Sequence, residues 1–155
     1  MDVNMTSMTV LTKQFLSQMA SRRSGVVVNI SSFSGLQPTP LLAQYSAAKA
    51  YVDVLSQALD YEYQSFGVRV QCVAPLFVTS KLSKIRKASL FTPSPATFAR
   101  AAVAKIGYET LSCGYWAHDL QAYIVSCVPA WLYKNRSMAM HLSLRHRALK
   151  KKRNA

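Results

Sequence analysis

An α/β layer fold with a parallel sheet is what this sequence predicts, and three observations carry the prediction. Val26-Val27-Val28-Asn29-Ile30 is short, β-branched and nearly all apolar, as expected of a strand buried on both faces. Val68-Arg69-Val70-Gln71-Cys72-Val73 is a second strand candidate. Between them, about Ala43 to Ser65 reads as one long helix. A strand, a long helix and another strand form a unit whose strands run parallel through a right-handed crossover.

The elements follow in order. Residues 3–22 read as a helix, because Val10, Leu11, Phe15, Leu16 and Met19 fall on one helical face, and Gly25 stops it. After the first strand, Ser31-Ser32-Phe33-Ser34-Gly35 and the Pro38-Thr39-Pro40 turn read as a loop. The long helix carries Val52, Leu55 and Leu59 on one stripe, and Gly67 stands where a C-terminal cap belongs. Beyond the second strand, Ser94-Pro95 reads as an N-cap followed by proline at the first helical position, opening a helix over Ala96–Ile106. No internal repeat is visible.

Composition sets the class. The chain has 155 residues, 50% hydrophobic and 16% charged, which excludes a disordered polymer and suits one domain with one core. Cys72, Cys113 and Cys127 are odd in number and widely spaced, which excludes a disulfide scaffold. They read as buried small hydrophobes in a reduced, intracellular protein, and no metal-ligand set accompanies them.

The formal net charge is +13, from 19 Lys and Arg against 6 Asp and Glu, and the excess is uneven. Seven basic residues and no acid lie between Arg136 and Arg153. Such a tail binds nucleic acid or an anionic membrane, or serves as a sorting signal. No nucleic-acid partner is expected, because no aromatic platform, zinc ligand set or glycine-rich RNA signature accompanies the charge. The membrane reading has a neighbour in Tyr115–Tyr133, an apolar segment with Tyr115, Trp116, Trp131 and Tyr133 at its ends. Its charge-free stretch, Leu120 to Tyr133, is shorter than the roughly 20 residues a spanning helix needs. The segment reads either as interfacial or as an ordinary core helix. Met1 to Ala20 has no signal-peptide pattern.

In open α/β sheets ligands bind beyond the carboxyl ends of the strands, so the loops after Ile30 and Val73 are the informative ones. Ser32 lies in the first loop, and thirteen residues later comes Tyr45-Ser46-Ala47-Ala48-Lys49. Side chains four apart on a helix share a face, so the phenol of Tyr45 and the ammonium of Lys49 can meet above the strand ends. A nearby cation favours phenolate over phenol, which is useful for proton transfer. A serine beside them can hydrogen-bond a carbonyl oxygen.

Taken together, Asn29-Ile30-Ser31-Ser32-Phe33-Ser34-Gly35, Tyr45-Ser46-Ala47-Ala48-Lys49 and Pro75-Leu76-Phe77-Val78-Thr79-Ser80 resemble the second half of a short-chain dehydrogenase/reductase. Asp2-Val3-Asn4 adds to the likeness, with Asn4 28 residues before Ser32, where that family carries its catalytic asparagine. Ser80 to Lys87, Pro93-Ser94-Pro95, Gly114-Tyr115-Trp116-Ala117-His118, Pro129-Ala130-Trp131 and the basic end are similar to one branch. That branch holds the very-long-chain 3-oxoacyl-CoA reductases and 17β-hydroxysteroid dehydrogenases. A related, catalytically impaired branch replaces the tyrosine, which is present here as Tyr45.

The resemblance implies a Rossmann-like sheet and NADPH-dependent reduction of a ketone, with fatty acyl-CoA and steroid both open as substrates. It implies Tyr45 as general acid, Lys49 as its activator and ribose ligand, Ser32 as the group polarising the substrate carbonyl, and Asn4 holding a water in the proton relay. The backbone of Val78 would meet the nicotinamide carboxamide, and Ser80 would close over the cofactor. Leu76 replaces the family's common glycine and Ser80 its usual threonine. Lys81, Lys84, Arg86 and Lys87 follow at the start of the family's substrate lid and could attract the phosphates of coenzyme A. A homo-oligomer is also within the family's habits. His118 and Asp119 read as structural contacts, outside the site.

One feature of the family is missing. The glycine-rich turn that cradles a pyrophosphate has no counterpart, because Gly25, Gly35, Gly67, Gly107 and Gly114 do not have its spacing. The sheet is therefore expected to be incomplete, with the N-terminal cofactor-binding strands absent and an open edge. The organisation expected is 1–112 as the catalytic half, 113–133 as the membrane-associated or core segment, and 134–155 as the basic tail. Two alternatives stand: a fragment of a membrane-associated reductase, inactive in isolation, or a non-catalytic interaction or membrane-binding module derived from one. Lys151-Lys152-Arg153-Asn154-Ala155 resembles a dilysine-type retrieval signal, so the endoplasmic reticulum membrane is the expected location.

Overall fold

A computed structural model describes residues 5–80, 83 and 85–153. Helix α1 (Thr6–Ser21) leads into strand β1 (Gly25–Ile30), a single helical turn α2 (Phe33–Leu36) and helix α3 (Ala43–Tyr63). A 3-10 turn over Gln64–Phe66 precedes strand β2 (Val68–Val73). Helix α4 (Pro95–Ala104), strand β3 (Leu111–Ser112), helix α5 (Trp116–Cys127) and helix α6 (Ala130–Arg153) complete the order.

The sheet is parallel throughout, in the order β1-β2-β3. β1 and β2 pair along their whole length, from Gly25 opposite Val68 to Ile30 opposite Val73. β3 adds only Leu111 and Ser112, opposite Cys72 and Val73. This is the expected α/β fold with a Rossmann-like sheet of few strands. The expected turn chemistry is also present. Gly67 ends the 3-10 turn at φ 71°, and the Arg23 carbonyl lies so close that a side chain there would collide with it. Ser94 caps α4 by accepting the Thr97 N–H at 3.2 Å, with Pro95 behind it.

The core lies between the sheet and the pair α1 and α3. Leu16, Val68 and Val70 are fully buried there, with Met19, Val27, Leu59 and Tyr63 packed around them. On the opposite face Gly114 (φ 73°) comes within contact of Val73, Phe98 and Ala102, so α4 and the start of α5 cover β2. That cover stops short of β1. Val26 and Ile30, which alternate with Val27 and Asn29 along the strand, remain 41% and 56% exposed, and this is the open edge anticipated.

Asp60, near the end of α3, ties the layers together. Its carboxylate accepts two hydrogen bonds from Arg69, at 2.8 and 3.1 Å, one from the Thr110 hydroxyl at 2.6 Å and one from the Val70 N–H at 2.8 Å. Helix, strand and the approach to β3 therefore meet on one anion.

Four expectations need correction. The apolar face assigned to α1 is mostly solvent-facing, since Val10, Leu11 and Phe15 are about half exposed while Leu16 alone of that set is fully buried. A sheet this narrow offers α1 too little surface to bury the rest. Cys127 is exposed at the end of α5, whereas Cys72 and Cys113 are buried as expected. Burial pushes both of those thiols up to about 12, so they are inert at neutral pH. The segment over Phe33–Leu36, expected as loop, is a helical turn capped by Ser32. Finally, Tyr115–Tyr133 is not one helix. It breaks at Val128-Pro129, and the basic end continues as helix to Arg153. Among the described residues, no helix is long and apolar enough to cross a membrane.

Burial alone would raise the Asp60 carboxyl, but its hydrogen bonds from Arg69, Thr110 and Val70 outweigh this and hold it below 3.8. Ionised Asp60 therefore stabilises the fold fully above about 3.8, and the contribution is lost as pH falls through the lower folded value. Asp60→Asn is expected to cost about 2 kcal/mol at neutral pH and to flatten the acid dependence of the urea midpoint. An unchanged midpoint would refute the anchoring role.

Candidate active site

The site is assembled where β1 ends and α3 begins. Ile30 offers its carbonyl at the strand terminus, and Lys49 Nζ donates to it at 3.0 Å. The same ammonium lies 5.8 Å from the centre of the Tyr45 ring, so the two side chains share one face of α3 as their spacing predicts. Ser31 fastens the arrangement from the other side, its hydroxyl donating to the Lys49 carbonyl at 3.0 Å. Gly35 then presses on the same turn of α3. A side chain there would bring its first carbon within 2.7 Å of the Lys49 carbonyl carbon and 2.9 Å of the Ala50 nitrogen, and onto the Asp53 carboxylate. Only glycine permits this approach.

Asp53 sits beneath the pair and receives the Cys72 thiol at 3.2 Å. Burial raises its carboxyl above 3.8, against the opposing hydrogen bonds of Ser31 and Cys72 and the charge of Lys49. Above it Tyr45 is 40% exposed and, with Leu41, Leu42, Ala43 and Gln44, borders an open cleft of about 450 Å³. Leu41 holds φ at 66°, a strained conformation for a residue with a branched side chain, at the lip of this cleft.

Ser32 is placed on the N-cap of α2, where its hydroxyl accepts the Ser34 N–H at 3.3 Å. Its bond is local. The structure thus brings Tyr45 and Lys49 together and sets Ser32 on the adjoining loop. Asn4 lies outside the described residues, as do Lys81 and Lys84. The exposed Arg86 and Lys87 are described.

The loop after β2 runs alongside. The Phe33 N–H donates to the Pro75 carbonyl at 3.0 Å, and the Ser31 N–H to the Val73 carbonyl at 2.8 Å, so the two strand-end loops are bonded to each other. Val78 and Ser80 belong to a turn organised by Ser83, a residue that sequence reasoning passed over. The Ser83 hydroxyl donates to the Val78 carbonyl at 2.8 Å and accepts the Ser80 N–H at 3.0 Å, while the Ser83 N–H donates to the Ser80 hydroxyl at 3.0 Å. The signal was available in two serines three residues apart. Thr79 is buried and donates its N–H to the Pro93 carbonyl at 3.0 Å. His118 reaches this loop from α5 as a structural contact, fully buried and hydrogen-bonded to the backbone of Leu76 and Phe77.

A tyrosine and a lysine on one helical face at the carboxyl edge of a parallel sheet, with a serine on the neighbouring loop, point to one class of protein. Residues 1–89 match the family model described as short chain dehydrogenase, and the chain belongs to that family. It is 45% identical over 150 residues to the very-long-chain 3-oxoacyl-CoA reductase of Rattus norvegicus, covering 97% of this chain and 48% of that one. The human reductase of the same name gives the same figures, and reductase-B of Danio rerio is 42% identical over 153 residues, covering 98% of this chain and 49% of that one. The chain spans about half the length of these curated relatives. Among solved structures, a 7beta-hydroxysteroid dehydrogenase aligns with a TM-score of 0.75 at 21% identity, over 88% of this chain and 55% of that one. A short-chain dehydrogenase from Sphingobium yanoikuyae in complex with NADPH aligns with a TM-score of 0.62 at 22% identity, over 81% and 54%. At these identities the likeness is one of fold.

Gly35→Ala tests the clamp on Lys49. The added carbon is expected to force Lys49 and Ala50 away from α2 and to lower stability by about 1–3 kcal/mol in urea denaturation. Unchanged stability would mean that α2 and α3 are not tightly packed at this point.

Proposed function

We propose that this chain carries the proton-transfer half of an NADPH-dependent ketone reductase acting on fatty 3-oxoacyl-CoA. The observation that carries the reading is the Lys49 ammonium held between the Ile30 carbonyl and the ring of an exposed Tyr45. When bound, a reduced nicotinamide supplies hydride to the carbonyl carbon. Tyr45 gives its hydroxyl proton to the carbonyl oxygen, and the adjacent ammonium of Lys49 stabilises the phenolate left behind. Ser32 turns its hydroxyl from the Ser34 N–H to the substrate oxygen, and Asn4 holds the water that returns a proton toward Lys49.

Fit to the cofactor is partial. Lys49 and the backbone of Val78 would serve the nicotinamide ribose and carboxamide, with Ser80 in the same turn as Val78, but no glycine pair in this chain suits a pyrophosphate. The unpaired outer edge of β1 supports a working domain with further strands on that side, and the exposed Val26 and Ile30 support a further layer over that face. The acyl-CoA substrate is favoured by the names of the relatives and by Arg86 and Lys87 beside the loop, and a 17-ketosteroid is the competing substrate.

For location we propose the surface of the endoplasmic reticulum membrane. Trp116, Leu120, Tyr123, Ile124 and Cys127 form one exposed stripe on α5, and α6, the next helix in the chain, carries eight basic residues and no acid. An apolar stripe and a basic helix in one chain suit an anionic bilayer interface.

The decisive experiment adds NADPH and a 3-oxoacyl-CoA to the 155-residue chain, alone and mixed with the N-terminal half of the rat reductase. Turnover is expected only in the mixture and should fall about 10²- to 10⁴-fold with Tyr45→Phe. A mixture that binds NADPH yet reduces no 3-oxoacyl-CoA would overturn the substrate assignment, and one that binds no nucleotide would favour the non-catalytic module. For the membrane, phosphatidylserine vesicles should sediment the chain and neutral vesicles should not, with binding lost at high salt and in Leu120→Asp. Equal binding to both vesicles would remove the electrostatic part of this proposal.

A further inference from the structure

The middle of the loop after β2 has no support from the sheet. Strand pairing ends where the Ala74 N–H reaches the Ser112 carbonyl at 2.8 Å, and Pro75 has no N–H to give. The Pro75 carbonyl accepts the Phe33 N–H at 3.0 Å, and the next bonds are at the Val78 carbonyl, held by Ser83, and at the Thr79 N–H, held by the Pro93 carbonyl. Between those points stand Leu76 and Phe77, and one side chain from a distant helix meets both. His118 Nδ1 lies 3.4 Å from the Leu76 nitrogen, and His118 Nε2 lies 3.2 Å from the Phe77 carbonyl oxygen.

These two contacts are both satisfied by one protonation state. An amide N–H needs an acceptor, so Nδ1 is unprotonated. A carbonyl needs a donor, so Nε2 carries the hydrogen. The ring is fully buried, stacked at a tilt on Phe98 with centroids 5.7 Å apart and met edge-on by Tyr115 at 5.4 Å. Its own helix is fixed in turn. Asp119, the next residue, accepts the Cys113 N–H at 2.8 Å and pairs with Lys105 of α4. Asp119 and Lys105 are thus paired with each other, and burial keeps the imidazole below its usual pKa of 6.5, against the backbone hydrogen bonds of Phe77, Cys113 and Phe91 and the charge of Asp119.

We propose that His118, as the neutral Nε2–H tautomer, is a positioning residue that fixes the Leu76–Phe77 backbone and so sets the position of Val78 for the nicotinamide. This deepens the reductase reading and rests on it. The carboxamide-facing loop is held by a ring from α5, the helix that also presents the exposed stripe, so the position of that helix is transmitted to the loop by two hydrogen bonds.

Two readouts separate the proposal from the reading it rests on. In the wild-type chain at pH 7, imidazole nitrogen NMR is expected to find His118 as the Nε2–H tautomer. The Nδ1–H tautomer or the imidazolium would overturn the proposal with no variant needed. Amide exchange at Leu76 is expected to quicken about tenfold in His118→Phe, which keeps an aromatic ring but removes both bonds, with Val70 and Cys72 unchanged. His118→Gln, whose amide again offers one acceptor and one donor, should restore most of the protection. Equal protection at Leu76 in all three chains would overturn the proposal. NADPH titration of the mixture with the N-terminal half then tests positioning. Binding weakened about tenfold in His118→Phe and recovered in His118→Gln supports it, whereas identical affinity in all three overturns it. Absence of NADPH binding in the wild-type mixture would instead count against the reductase reading, and tautomer and exchange would still decide the role of His118.

Discussion

Everything at the candidate site depends on one close contact, that of Gly35 against the second turn of α3. With no side chain at that position, α2 lies directly on the Lys49 and Ala50 backbone. Two hydrogen bonds then lock the register, from the Ser31 hydroxyl to the Lys49 carbonyl and from Lys49 Nζ to the Ile30 carbonyl. The ammonium is restricted, because its backbone is clamped under Gly35 and its head is tethered to a strand end. Tyr45, one turn earlier on α3, inherits that placement. The chemistry of the site is therefore a consequence of backbone packing, and the functional side chains are exposed ends of a rigid contact.

The sheet behind this contact is only partly covered. On the α1 and α3 side, Leu16, Val68 and Val70 make a dry core, and Asp60 joins α3 to β2 through four hydrogen bonds. On the other side α4 and α5 serve β2 and β3 but leave Val26 and Ile30 in water. The exposed Val10, Leu11 and Phe15 of α1 have the same origin, since a sheet of three strands is too narrow to bury both layers. Exposed branched side chains on an unpaired parallel edge are energetically poor, which is consistent with relatives twice as long.

How much of this was legible depended on the range of the physical signal. β1, α3 and β2 could be read from alternation, stripe and caps, because each is determined within its own window. The Tyr45–Lys49 pairing was legible for the same reason, being one helical turn apart. β3 was not foreseen. Leu111 and Ser112 acquire strand character only by pairing with Cys72 and Val73, and two residues carry no period of their own. The break at Val128-Pro129 could have been read from the proline, which disfavours helix in the residue before it, but the apolar run around it masked the signal. His118 works through backbone atoms of a segment some forty residues away, and such a role leaves no pattern in the sequence around it, whereas the Ser80–Ser83 spacing was a local signal.

The division between what this chain holds and what it lacks has a physical logic. Ile30, Ser31, Ser32, Gly35, Tyr45 and Lys49 come from one strand, the loop after it and the helix that follows, all within twenty residues of one another. Contacts this local cost little loop-closure entropy, so they form without help from distant strands. A pyrophosphate cradle depends instead on a glycine-rich turn and a helix N-terminus supplied by another strand–helix unit. The Tyr45–Lys49 arrangement is thus set within one strand–helix unit, apart from any such turn. The loop carrying Val78 stands between these cases, because its ends are bonded to neighbouring segments while its middle depends on His118, some forty residues away in sequence. Those two long-range contacts couple the loop to the docking of α5 on the sheet.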